Sequence, residues 1–203
     1  MSQRFHLQSP RFSYALSVLE GGFIAHLYAG SRLESIPEAA LLRHAGIPAE
    51  PSFSPQNCAL DRLGQEYPSF GLGDFRTGAL TVEEQGGTCS VDLRFVSAHE
   101  SHEKPSLPGL PATFGGTAQC LELLLRDEHL GLEATLRYAM FQDCDALARS
   151  VCLRNTGNRP LILHQADSLA LDLPDGQWEL LTLNGAWARE RGMVRRPLAP
   201  GEQ

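Results

Sequence analysis

The chain has 203 residues, of which 42% are hydrophobic and 20% charged, and it carries a formal charge of −7. That length buries a real core in one large domain or two small ones, and the acidic balance argues against a nucleic-acid partner, which requires a basic stripe. Lys104 is the one lysine beside sixteen arginines, so a Schiff-base lysine would have to be this residue, and no glycine-rich phosphate loop surrounds it, so P-loop chemistry drops out. No stretch approaches the roughly 20 apolar residues of a membrane-spanning helix. The N-terminal MSQRFHLQSPRF lacks the apolar core of a secretory leader, so the cytoplasm is the expected location. Cys58, Cys89, Cys120, Cys144 and Cys152 are odd in number with no CxxC pair, the pattern of reduced, packed thiols.

Glycines and prolines are spread along the chain between short apolar runs, which points to an all-β sandwich or barrel. Phe12–Leu19 and Phe23–Tyr28 flank Glu20-Gly21-Gly22 as a hairpin. Leu33–Ala45, with Pro37 near its start, reads as a short helix. Ala45–Gln65 is polar, punctuated by proline and aperiodic, the character of a functional loop. A second hairpin is expected from Leu80–Glu84 to Ser90–Ala98, where Val91, Leu93 and Phe95 alternate with polar neighbours. His99–Thr113 is another proline-rich break. Cys120–Arg126 turns through Asp127–Leu130 into Leu132–Phe141, whose Leu132, Ala134, Leu136 and Tyr138 share a face. Ala146–Arg154, Pro160–Leu171 and Trp178–Leu183 complete a count of ten or more strands, joined by turns rich in Asn, Asp and Gly.

Candidate chemistry is sparse. His99 and His102 interleave with Glu100 and Glu103, but no helical pattern places them on one face, so they read as solvated loop residues and no metal site is expected. Asp143/Asp145 fall between strands, Asp172/Asp175 in a turn and Glu83/Glu84 at a strand end, and sequence adjacency does not create the facing pair that glycoside hydrolysis uses. Ser150 and Ser168 lack a nucleophile elbow. The Gly71-Leu72-Gly73-Asp74 run would set an acid where a phosphate needs amide donors. Trp178, Trp187, Tyr67, Phe70 and Phe75 are expected in the core rather than as a sugar platform.

Ordered strings carry the reading further. They are Gln65-Glu66-Tyr67-Pro68 with Gly71 and Asp74-Phe75-Arg76; Asp92-Leu93-Arg94; Lys104-Pro105 with Gly109-Leu110-Pro111-Ala112-Thr113; Leu121-Glu122 with Asp127 and Gly131-Leu132; Ala148-Arg149-Ser150; Leu171-Asp172-Leu173-Pro174; and Gly185-Ala186-Trp187 with Arg189-Glu190-Arg191. In this order the chain resembles the N-terminal domain of microbial α-galactosidases of glycoside hydrolase family 36. The resemblance implies a single β-supersandwich over residues 1–203, galactose-mutarotase-like, with two packed antiparallel sheets and a short helix. It implies a catalytic (β/α)8 barrel after residue 203, where two aspartates perform retaining hydrolysis of terminal α-1,6-galactosides such as melibiose and raffinose. Neither aspartate-bearing string of that barrel is in this sequence, so no catalytic residue, metal or cofactor is expected here.

The implied partners are the barrel, the galactoside through the whole enzyme, and further copies in a homo-oligomer, with no nucleic acid or membrane. The barrel-facing surface should be an exposed apolar patch. The loop Ala45–Asn57 corresponds to one that approaches a neighbouring subunit's galactose site, and Glu50 is its candidate substrate-binding carboxylate. Asp74/Arg76 and Arg189/Glu190/Arg191 are expected as structural ion pairs. The alternatives are a free-standing carbohydrate-binding module, or a mutarotase-like epimerase drawing on His26, His164 and Glu122.

Overall fold

The computed structural model describes residues 3–37, 60–109, 112–173 and 176–199. The short helix expected over Leu33–Ala45 falls for the most part outside these, and residues 33–37 are not helical. Among the described residues there are twelve strands, and the one helical element is a 3-10 turn, Glu20–Gly22. No described helix is long and apolar enough to cross a membrane. Contacts divide the chain into a body, Met1–Asp172, and a second unit, Leu173–Gln203.

In the body, β1 (Gln3–Gln8), β2 (Phe12–Val18) and β3 (Ile24–Ser31) form an antiparallel meander. Gly21 and Gly22 both hold φ of 82° in the β2–β3 turn, a conformation that disfavours side chains. A second sheet orders β4 (Leu80–Glu84) between β5 (Gly87–Cys89) and β10 (Ile162–Ala166). A third runs β6 (Arg94–Ser101), β7 (Ala118–Asp127), β8 (Leu132–Phe141), β9 (Ala146–Asn155). All three bury apolar residues in one cluster: Phe5, Leu7, Tyr14 and Leu16; Leu80 and Val82; Leu121, Leu123, Leu132, Leu136 and Met140. The all-β class expected from the sequence is what the structure has, and β8 buries the predicted Leu132, Ala134, Leu136 and Tyr138.

The hairpin expected from Leu80–Glu84 into Ser90–Ala98 is different. β4 turns back only as three-residue β5, and the chain then crosses to the next sheet. Val91 and Leu93 are buried as the alternation predicted, but the Val91 amide donates to the Phe70 carbonyl and the Asp92 amide to Asp127 Oδ2 at 2.7 Å. The apolar period is therefore that of a crossing segment, with its ladder replaced by contacts to the Phe70 turn and to the end of β7.

The face of β7–β8 turned away from the core is covered at one end. Ser101, Cys120, Ala139 and Ala148 align across the four strands. Ala118, Cys120, Ala139 and Phe141 are buried there as a separate cluster. Residues 102–109 and 112–117 form a strap over this end: the Gln142 amide donates to the Thr117 carbonyl, and Gly115 sits so close to the Phe141 ring that a Cβ would lie 2.7 Å from it.

The second unit is a β-ribbon of β11 (Glu179–Ala186) and β12 (Arg189–Pro197), closed at its base by the Leu198 amide on the Trp178 carbonyl. Its turn puts Ala188 at φ 59°.

Candidate functional site

The described residues place chemistry in three settings: a buried ionic hub, the pocket under the strap, and the ribbon. The hub is built on Glu66, in the segment leading to Pro68. Its side chain is wholly buried, with Arg149 4% and His26 6% exposed. Glu66 Oε1 accepts from Tyr14 Oη at 2.7 Å and lies 2.9 Å from His26 Nδ1. Oε2 accepts from Tyr138 Oη and from Arg149 Nη1, each at 2.6 Å. Arg149 Nη2 donates to the Glu66 carbonyl at 2.8 Å, so one guanidinium holds both the side chain and the backbone of this residue. The Tyr138 ring packs 4.5 Å under the same guanidinium.

Burial pushes the Glu66 carboxyl up, but the His26 hydrogen bond, the Arg149 charge and the Tyr138 hydroxyl more than offset it, leaving it below the ordinary carboxylate range. Burial, reinforced by the Glu66 charge, raises both Tyr14 and Tyr138. Five side chains from β2, β3, β8, β9 and the 65–68 segment are thus tied at one point. A buried pair of this kind brings little net stability over an apolar core, but losing one partner strands the other. With no water-exposed carboxylate, the hub anchors the body and offers no access to a sugar.

The hub was legible only in part. Gln65-Glu66-Tyr67-Pro68 and Ala148-Arg149-Ser150 stand out as strings, with no chemistry attached to them by sequence. The available signal is β9 itself: Arg149 shares a face with Leu147, Val151 and Leu153, which pack on the core. An arginine on an apolar strand face requires a buried acid.

The other sequence candidates separate. Asp74 and Arg76 form the expected ion pair at 2.8 Å; Arg76 also donates to the Leu60 and Leu63 carbonyls and to Asp172. Asp145 accepts from Ser9 Oγ at 2.6 Å and from Arg11, as turn chemistry predicts. The epimerase candidates do not converge: His26 meets Glu66, His164 meets Glu83, and Glu122 meets Arg137. His99 and His102 are exposed, and no cluster of three metal-ligating side chains occurs among the described residues. Arg189, Glu190 and Arg191 are exposed on the ribbon. Glu50, its loop Ala45–Asn57, and Asp175 lie outside the described residues. The aromatics expected in the core are corrected by the structure. Tyr67 is buried, but Phe70 is 50%, Phe75 89% and Trp187 97% exposed, because they sit in turns rather than on inward strand positions.

The strap pocket has a volume of about 150 Å3. Lys104, Pro105, Leu107 and Thr113 of the strap face Arg137, Tyr138 and Ala139 of β8 and Ala148, Arg149 and Ser150 of β9. The small side chains of Ala139 and Ala148 leave the room. Two of the strings singled out in the sequence, one around Lys104-Pro105 and one at Ala148-Arg149-Ser150, therefore meet at one place.

The ribbon presents an apolar surface of its own. Leu181 is paired across from Arg195, and Leu183 from Met193; Leu181, Leu183 and Met193 are each half exposed or more. Every residue of β12 is exposed, and within β11 only Thr182 is even half-buried.

Comparison with known proteins gives a consistent result. The family described as the glycosyl hydrolase family 36 N-terminal domain matches residues 22–203. The alpha-galactosidase AgaA of Geobacillus stearothermophilus is 35% identical over 207 residues, covering 100% of this chain and 28% of that protein. The bifunctional alpha-galactosidase/sucrose kinase AgaSK of Mediterraneibacter gnavus is 34% identical, covering 97% of this chain and 22% of the relative. The crystal structure of AgaA superposes with a TM-score of 0.86 at 34% identity over 97% of this chain and 28% of that one. The Lactobacillus brevis alpha-galactosidase gives 0.87 at 33% identity, over 98% and 28%. The chain thus spans less than a third of the length of these relatives.

Proposed function

The chain belongs to the N-terminal domain family of glycoside hydrolase family 36, and on that premise we propose that it is the non-catalytic N-terminal module of an α-galactosidase. In this reading the whole enzyme removes terminal α-1,6-linked galactose from melibiose- and raffinose-type oligosaccharides with retention, using carboxylates of its catalytic barrel. The module packs on that barrel, contributes to a homo-oligomer and shapes the substrate entrance through the Ala45–Asn57 loop and Glu50. A cytoplasmic setting is part of the reading, and the free thiols of Cys120, Cys144 and Cys152 suit it.

The observation that carries it is the extent of the match: nearly the whole chain superposes on α-galactosidase chains while spanning 28% of their length. The ribbon supports it physically. A two-stranded ribbon is marginal by itself, and each Leu, Met or Trp it exposes gains about 1.5–3 kcal/mol when fully covered. The barrel is the cover we assign to it.

Hydrolysis of p-nitrophenyl α-galactoside tests the proposal in two proteins: this chain alone, and a chimera in which it replaces the matching N-terminal stretch of AgaA. The chimera is expected to hydrolyse the substrate and the chain alone to leave it untouched. Turnover by the repurified chain, or a folded chimera without activity, would overturn the reading.

A further inference from the structure

The strap pocket holds an imbalance of charge that the fold does not account for. Arg149 turns its guanidinium to Glu66 in the core at 2.6 Å, and Arg137 is matched by Glu122 at 2.8 Å, its direct cross-strand neighbour. Lys104 is half-buried, and among the described residues no carboxylate lies within ion-pair distance of it. An ammonium held beside apolar walls loses part of its hydration, which strengthens its attraction for an anion.

The walls decide which anion fits. Pro105, Leu107, Tyr138, Ala139 and Ala148 are apolar, while Thr113 and Ser150 bring hydroxyls. A phosphate, with oxygens on every side, would be left facing carbon. A polyamine would meet like charge. A short organic acid satisfies both halves, its carboxylate on Lys104 and its hydrocarbon against the Pro105–Leu107 side. The volume of about 150 Å3 lies below the ~300–1,000 Å3 of pockets for drug-sized ligands, which limits the occupant to a few carbons.

The pocket is also held in shape before anything binds. Its β8 and β9 side is held by their unbroken ladder, and the strap is tied at one end by Ser101 Oγ on the Glu103 carbonyl and at the other by the Gln142–Thr117 hydrogen bond. Such preorganisation lowers the entropic cost of binding.

We propose that the pocket lined by Lys104, Pro105, Leu107 and Thr113 of the strap binds a short organic carboxylate, with the Lys104 ammonium as its charge partner. The carboxylate is that of a free acid or of an acidic side chain brought in by another part of the whole enzyme. This site stands independently of the α-galactosidase reading, since it rests on the body alone.

The test is an NMR titration of the full chain with sodium butyrate, against butyramide and sodium chloride at matched concentrations. Saturable shifts at the Leu107, Thr113 and Ser150 amides are expected with butyrate, with at least tenfold weaker binding of butyramide. Lys104→Met should abolish saturation and Lys104→Arg should keep it. Equal response to butyrate and butyramide, no saturation at all, or undiminished binding by Lys104→Met would each overturn the proposal. Repeating the titration in the AgaA chimera separates the sources: an open site is one for a free acid, and a site closed to butyrate is already filled by a side chain.

Discussion

In the body, β8 buries Leu132, Ala134, Leu136 and Tyr138 on one face, and Ala139 and Phe141 on the other beneath the strap. In the ribbon, β12 of similar length leaves every residue exposed. Both are paired antiparallel with a neighbouring strand, so strand pairing alone does not separate them. The body buries the inner faces of its central strands and ties them through a five-residue hub, leaving Phe75, Phe114 and Ile162 exposed; the ribbon buries none of its residues and keeps Leu183, Trp187 and Met193 at the surface. An element that spends apolar residues on water is built for a cover it does not itself contain. The two regions should therefore fail differently. Substitutions in the hub should unfold the body, whereas substitutions in the ribbon should leave folding intact and weaken association.

The largest effect is expected at the hub. Glu66→Ala removes the acceptor of two tyrosine hydroxyls and strands the buried Arg149 charge, a loss of about 3–5 kcal/mol. Urea unfolding of the chain measures it. Glu66→Met combined with Arg149→Met should recover part of the loss, since no charge is then left alone. A cost below about 1 kcal/mol for the single variant would remove the hub as the device that closes the body. Its pH dependence has a defined sign. The Glu66 carboxyl lies below its ordinary value of 4.5 when folded, so its contribution is complete above about that pH in the unfolded chain and is lost as pH falls through the folded pKa. The stability gap between the wild type and Glu66→Gln should accordingly narrow in acid. A gap that stays constant from pH 7 to pH 3 would contradict the depressed ionisation.

The ribbon should show the reverse pattern. Trp187→Ala touches a side chain that is 97% exposed, so the unfolding midpoint of the isolated chain should move by no more than about 0.5 kcal/mol. In the AgaA chimera the same substitution should weaken docking of the module by about 2 kcal/mol, the scale of a buried aromatic anchor. Urea unfolding of the chimera, set against the same substitution in the isolated chain, reads this directly. If Trp187→Ala leaves the chimera unchanged, the cover lies over Leu183 and Met193 instead, and Leu183→Ala becomes the sharper probe.

What the sequence could disclose follows the same division. Where one face is buried, period two was readable: β8 matches its expected bounds, and β9 and the β2–β3 hairpin lie within a residue or a few of theirs. β12 had no such signal, since Arg189-Glu190-Arg191 and Arg195-Arg196 alternate with nothing when neither face is covered. Val91 and Leu93 misled in the other direction, because burial gives a crossing segment the same alternation as a strand. The strap was visible only as a proline-rich break, and nothing in Lys104-Pro105 reveals that it returns over Ala139 and Ala148, which follow more than thirty residues later. Glu66 and Arg149 are 83 positions apart. Their pairing depends on which sheets face each other, and no local pattern encodes that.

The smallest expected effect tests whether the hub's surroundings are tuned or merely tolerated. Tyr67 is 6% exposed, and its hydroxyl has no hydrogen-bond partner among the described residues. Burial raises that hydroxyl's pKa to about 12, partly opposed by the Arg149 charge, so it remains a neutral donor with nowhere to donate. A buried unsatisfied group costs about 1–3 kcal/mol, and Tyr67→Phe deletes it while keeping the ring in the core. The variant should be as stable as the wild type or more stable by about 1 kcal/mol, in contrast to Glu66→Ala one position away. A loss exceeding about 1 kcal/mol on Tyr67→Phe would mean that the hydroxyl has a partner in solution. The polar network would then extend beyond Glu66, and the boundary drawn between hub and apolar core would have to move outward to include Tyr67.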